Sequence, residues 1–130
     1  MGARKRLRAN EIKENKKSVA FASLNDSSIS PRKMRLVADL IRGVEVNKAL
    51  NILHFNSKNA SNSLEKLLRS AIANWELKNE DADISESKLV VKSVEVGCGK
   101  MLKRIQPAPQ GRAHRIRKRS NHVTIVIDGE

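Results

Sequence analysis

Between Glu95 and Asp128 the chain contains no acidic residue, while residues 100–119 carry eight Lys and Arg side chains. A like-charged block of that density repels itself unless a polyanion neutralises it. Pro107 and Pro109, with Gly97, Gly99 and Gly111, exclude a continuous helix here. Strand-like segments flank the block. Lys88 to Val96 is rich in β-branched residues, and His122 to Ile127 repeats the signal. The simplest geometry is a hairpin over about 97–119, turning near Gln106 to Gln110. An extended arm from Pro109 to Arg119 reaches roughly 33 Å at ~3.3 Å per residue. That exceeds the ~13–15 Å radius of a domain of this size. Lacking a core of its own, such an arm is expected to be mobile when alone.

Arg115, Arg117 and Arg119 share strand parity with Val123, Ile125 and Ile127. Successive side chains on a strand alternate faces. With unbroken pairing, one face changes from guanidinium to aliphatic at about Asn121, where the strand leaves the core for another environment. A β-bulge on that strand would undo the parity.

The charge elsewhere is uneven too. The whole chain of 130 residues has a formal charge of +12, with +5 on residues 1–17, +1 on 18–99, +8 on 100–119 and −2 on 120–130. The reading is a basic N-terminal extension over 1–17, either an RNA-contacting arm or a solvated tail, then a single domain over 18–130. No stretch approaches the ~18 apolar residues of a membrane span. The basic N-terminus is not followed by the apolar run of a secretory signal. The single cysteine, Cys98, excludes an internal disulfide framework.

The near-neutral middle reads as a small globular body. Ser18 to Leu24 reads as a short strand, and Asn25 to Ser28 as a turn. Ser30-Pro31 is a helix start, with a hydroxyl able to cap and proline at the first helical position. Met34, Val37, Ala38 and Ile41 then form one buried stripe, and Gly43 ends the helix beside Arg42. Val46, Ala49, Leu50 and Leu53 mark a second helix. A third runs from Asn56 or Ser57 to about Lys78, with Ala60, Leu64, Leu67, Ala71 and Trp75 on one face and Leu68 and Ile72 widening it. Asn79 to Asp83 is a polar surface connection. Phe21, Phe55 and Trp75, the chain's three aromatics, all fall on segments assigned to the core.

Catalytic chemistry needs convergent reactive groups, and few converge. His54, His114 and His122 are scattered, and Gly97-Cys98-Gly99 is too short for a dinucleotide fingerprint. Glu80, Asp81, Asp83 and Glu86 lie in a polar loop without a phosphate-binding glycine motif. The chain is therefore read as a non-enzyme with no cofactor and no metal site. Nucleic-acid binding fits what is present, since Lys and Arg neutralise phosphates. Core aromatics argue against base-stacking platforms. Recognition of shape and phosphates in structured RNA is the better match.

Three stretches then resemble a known family. They are Ser30-Pro31-Arg32-Lys33-Met34-Arg35-Leu36-Val37-Ala38-Asp39-Leu40-Ile41-Arg42-Gly43, then Ala71-Ile72-Ala73-Asn74, and finally a split motif. That motif is Leu102-Lys103-Arg104-Ile105 with Pro107, Gly111-Arg112-Ala113, Ile116, Lys118-Arg119-Ser120 and His122-Val123-Thr124. In this order and spacing they are similar to the universal large-subunit ribosomal protein number twenty-two, bacterial form. The resemblance implies an α+β fold, a small antiparallel three-stranded sheet packed with three helices, plus a long protruding basic β-hairpin. It implies that the protein binds large-subunit ribosomal RNA, aids subunit assembly and lines the nascent-peptide exit tunnel with the hairpin. Implied partners are that RNA, neighbouring large-subunit proteins and the nascent peptide, in the cytoplasmic ribosome, with no membrane and no homo-oligomer.

The expected RNA-binding residues are Arg32, Lys33, Arg35, Lys100, Lys103, Arg104, Arg112, Arg115, Arg117, Lys118 and Arg119. The expected tip is Gln106, Pro107, Ala108, Pro109, Gln110 and Gly111. The family turn usually reads Pro-Arg-Ala and then Lys or Arg; here it is Pro107-Ala108-Pro109-Gln110, so two basic residues are absent and the arms hold the cations. Lys100 stands where proline is common. The rival reading is a non-ribosomal RNA- or DNA-binding regulator or a nucleic-acid chaperone.

Overall fold

The computed structural model describes residues 3–79 and 87–129; the acidic connection with Glu80, Asp81, Asp83 and Glu86 lies outside them. The elements are α1 (Ala3–Ser18), β1 (Ala20–Ser27), α2 (Pro31–Ile41), α3 (Val46–Phe55), α4 (Asn59–Glu76), β2 (Leu89–Pro107) and β3 (Ala113–Gly129). The strands form one antiparallel sheet in the order β1-β3-β2. This is the expected α+β architecture, with a fourth α-helix in the N-terminal extension.

The three body helices bury the stripes read from the sequence. Met34, Val37, Ala38 and Ile41 on α2, Val46, Ala49 and Leu53 on α3, and Ala60, Leu64, Leu68 and Ala71 on α4 meet Val91, Val123, Ile125 and Ile127 of the sheet. Gly43 adopts φ +76°, the left-handed conformation that a side chain resists, and so ends α2. Ser30 occupies the N-cap, but its hydroxyl makes no capping bond. The start of α4 falls at Asn59 rather than Asn56, because Asn56 Oδ1 accepts the Lys58 N–H at 3.0 Å in a local turn.

Three bulges shape the sheet, all on the strands flanking β3. Two β1 residues, Asn25 and Asp26, oppose the single His122. Asp26 takes φ +54°, and its N–H donates to His122 Nδ1 at 3.1 Å. The polar cluster expected to turn the chain thus supplies a bulge inside β1. On β2, Lys92 is the extra residue, which lets Val91 and Val94 both face the core. Gly99 and Lys100 oppose Ser120 alone in the third bulge. β3 carries no extra residue, so its parity holds.

Both edges of the sheet are covered by side chains from α2 and α4 or from the residues just past their ends. On the β2 edge, Arg42 Nη2 donates to Val94 O at 2.9 Å and Arg35 Nη2 to Val96 O at 3.0 Å. Nearby, Gly43 N–H donates to Val91 O, and Val91 N–H to Val44 O. On the β1 edge, Asn74 Nδ2 donates to Phe21 O at 2.9 Å and Lys78 Nζ to Val19 O at 2.6 Å. An uncovered edge would offer these groups to another strand.

Two of the three aromatics are not core residues. Trp75 is buried, but Phe21 is 38% and Phe55 85% exposed. Phe21 sits on the outward parity of β1 beneath the Lys78 ammonium, 5.8 Å from its ring centroid. Phe55 ends α3, edge-on to the His54 ring.

Candidate nucleic-acid interface

Beyond Asn121 the sheet narrows to two strands. β2 and β3 continue as a ribbon paired from Met101↔Arg119 to Pro107↔Ala113, closed by a 3-10 turn over Pro109–Gly111. Gln110 and Gly111 both take positive φ, 64° and 67°, and Ala108 N–H donates to Arg112 O at 2.9 Å. The turn therefore falls inside the expected tip, which is exposed apart from the half-buried Ala108. From Cys98 to Pro107 each arm runs about 30 Å at ~3.3 Å per residue.

The predicted switch on β3 is realised at Asn121. Ile127, Ile125 and Val123 are buried in the core, and so is Asn121, whose Nδ2 donates to Ile29 O at 2.6 Å. Next on that parity come Arg119, Arg117 and Arg115, all exposed. Asn121 thus ties the end of the core to the loop that precedes α2.

Cross-strand pairing sorts the ribbon's cations onto both faces. Lys103, Arg115, Arg117 and Arg119 share one face with Met101 and Ile105; Arg104 and Lys118 share the other with Leu102 and Ile116. Lys100 sits in the bulge, and Arg112 follows the turn. Ser120 Oγ donates to Lys100 O across the bulge, and a Cβ on Gly99 would lie 2.6 Å from Ser120 Oγ and 3.2 Å from His122 Nε2. A side chain at position 99 would displace the Ser120 hydroxyl from its bond to Lys100 O at the ribbon's base. Among the described residues, only Arg104 of the eight cationic side chains has a polar partner, the Lys103 carbonyl at 2.9 Å, and none has an acid.

On the body, Arg32 and Lys33 are exposed at the start of α2. Arg35 lies one turn on, one edge of its guanidinium already committed to Val96 O. Ser30, Pro31, Arg32, Arg35, Cys98 and Arg119 line a cleft of about 340 Å³ between this helix start and the ribbon's base. The structure thus brings Arg32, Arg35 and Arg119 together, and spreads the remaining predicted residues along the ribbon. Sequence reasoning missed the edge-covering Arg42, Asn74 and Lys78. Their signal is spacing, with Arg35 and Arg42 seven apart and Asn74 and Lys78 four apart, the second of each pair just past the end of its helix.

The extension, α1, has no buried residue and no apolar face. Its first turns carry Arg4, Lys5, Arg6 and Arg8 at the positive end of the helix dipole, where cations are unfavourable. Among the described residues no group of His, Cys, Asp and Glu could hold a metal ion, and no helix is long and apolar enough to cross a membrane.

Comparison with known proteins identifies the family. A family profile described as Ribosomal protein L22p/L17e matches residues 22–128. The large ribosomal subunit protein uL22 of Christiangramia forsetii is 68% identical over 127 residues, covering 98% of this chain and 94% of that protein. Its counterparts in Flavobacterium johnsoniae and Parabacteroides distasonis are 65% and 59% identical, each covering 98% of this chain and 93% of their own length. That coverage extends the likeness into α1, ahead of the start of the family profile. The relatives bear the name of a large ribosomal subunit protein and not of an enzyme. The chain belongs to the L22p/L17e family of large-subunit ribosomal proteins.

Proposed function

We infer that the protein binds large-subunit ribosomal RNA through its ribbon and the start of α2, and that this binding aids subunit assembly. The observation that carries the reading is the ribbon's unpaired charge on both faces. A basic strip meant for a flat surface needs cations on one side only. Cations on both faces suit an element surrounded by phosphates, as an element threaded through folded RNA would be. Lys100, Lys103, Arg104, Arg112, Arg115, Arg117, Lys118 and Arg119 would contact phosphates along the arms, with Arg32, Lys33 and Arg35 adding contacts from the body. α1 would be a further RNA arm, its N-terminal cations relieved by phosphate, while residues 18–130 act as one domain.

Family membership supports placing the ribbon's turn, residues 106–111, at the wall of the nascent-peptide exit tunnel of the cytoplasmic ribosome. The nascent chain and neighbouring large-subunit proteins would then be partners. A tip without Lys or Arg suits a wall that polypeptide must slide past, because it offers the acidic side chains of a nascent chain nothing to hold. Sedimentation of a tagged chain on a sucrose gradient tests the reading. It should travel with large subunits at stoichiometric level and persist at moderate salt. A chain recovered near the top of the gradient contradicts it and favours a free nucleic-acid regulator.

A further inference from the structure

The cleft between α2 and the ribbon joins a body helix to the ribbon's base, whereas the larger hollow lined by Lys103, Arg104, Arg115 and Arg117 lies within the ribbon alone. Arg32 and Arg35 come from α2, Arg119 comes from β3, and no acid lines the space between them. Among the described residues Arg32 and Arg119 have no hydrogen-bond or ion-pair partner. Arg35 is held by its bond to Val96 O, which leaves Nη1 and Nε to donate elsewhere. Three arginines lining one acid-free space favour an oxyanion such as phosphate, whose oxygens can accept paired N–H bonds from a guanidinium fork.

The cleft's position also matters. Arg119 pairs with Met101, next to the bulge in which Gly99 and Lys100 oppose Ser120 and the ladder shifts register. A group bridging Arg119 to Arg32 would tie the ribbon's base to the body across that irregular point.

We propose that this cleft is a phosphate subsite, taking one phosphodiester of the bound RNA between Arg119 and the α2 arginines and so setting the ribbon's direction relative to the body. The proposal rests on the RNA-binding reading above and adds a located contact to it. Cys98, exposed, lining the cleft and the only cysteine of the chain, is a native reporter of occupancy.

The test alkylates full-length protein with a maleimide, free and saturated with large-subunit ribosomal RNA at low salt, with filter binding run in parallel. Bound RNA should slow Cys98 alkylation about tenfold by blocking access. Arg119→Gln and Arg32→Gln should each restore most of the free rate while RNA retention weakens by no more than about tenfold. Arg119→Lys, which keeps the charge but loses the fork, should fall between. Lys48→Gln, at an α3 cation already paired with Glu45, should protect like the parent. Alkylation at the free rate in protein that filter binding shows to be RNA-bound would overturn the subsite and leave the RNA-binding reading intact. Protection that survives both glutamine variants would also overturn it, since RNA would then merely pass over Cys98. Absence of RNA retention altogether would overturn both.

Discussion

In the body, Arg42 pairs with Asp39, Lys48 with Glu45, Arg69 with Glu65 and Lys92 with Asp128. On the ribbon, eight cations from Lys100 to Arg119 meet no acid among the described residues. The two regions share the same pair of strands, and β3 runs through both without an extra residue. Along β3 the difference therefore lies in side chains and in the loss of the β1 neighbour, and not in an inserted residue. In the body, one strand face is aliphatic and buried against three helices, so the ladder is held by apolar contacts. In the ribbon, both faces are exposed, and repulsion among the cations opposes the pairing. Body stability should thus be intrinsic, and ribbon order should depend on a polyanion.

The sharpest way to break this contrast is to perturb each region and read both stability and RNA affinity. Leu64→Ala opens a cavity at a fully buried position of α4 and should cost about 2–5 kcal/mol in denaturant unfolding. The joint replacement of Arg115, Arg117 and Arg119 by glutamine should do the reverse. RNA affinity at low salt should fall about a hundredfold or more, while unfolding stability stays within ~0.5 kcal/mol, as expected of exposed substitutions. A matching loss of stability would mean that the ribbon is part of the folding unit.

At the junction the two regions should respond together. Gly99→Ala forces a Cβ to within 2.6 Å of Ser120 Oγ. It should cost about 1–3 kcal/mol by overpacking and weaken RNA binding as well, because Arg119 is then displaced. The smallest effect is expected at Ser61, whose hydroxyl is buried without a hydrogen-bond partner among the described residues. Ser61→Ala should leave unfolding free energy unchanged or slightly raised, within about 1 kcal/mol, and RNA binding untouched.

Much of this contrast was legible in the sequence. Met34, Val37, Ala38 and Ile41 recur at helical spacing, and periodicity reports burial directly. The change from Arg119 to Val123 on one parity located the body's end because β3 carries no bulge. What was missed depends on contacts between distant segments. The extra residues at Lys92, at Gly99-Lys100 and at Asn25-Asp26 are defined only relative to a partner strand. Phe21 and Phe55 look like core residues by composition, yet Phe21 falls on the outward parity of β1 and Phe55 on the last position of α3. Arg35 was read purely as an RNA contact, whereas it also covers a strand carbonyl 61 residues away. The helical form of residues 3–18 went unread, because α1 carries no apolar stripe to betray it.

The central claim is that the body folds by itself and the ribbon supplies phosphate contacts. The most direct measurement is the salt dependence of ribosomal RNA binding in the full chain and in a chain lacking residues 99–113, each with its melting curve. Six to ten phosphate contacts imply that the full chain loses roughly 10³–10⁵ in affinity between 50 and 200 mM salt. The deletion removes Lys100, Lys103, Arg104 and Arg112. It should flatten the slope of log affinity against log salt by up to about 3.6, at ~0.7–0.9 per lost contact, and the shortened chain should still melt cooperatively. Equal slopes in the two proteins, or loss of cooperative melting in the deletion, would contradict the division of labour between body and ribbon.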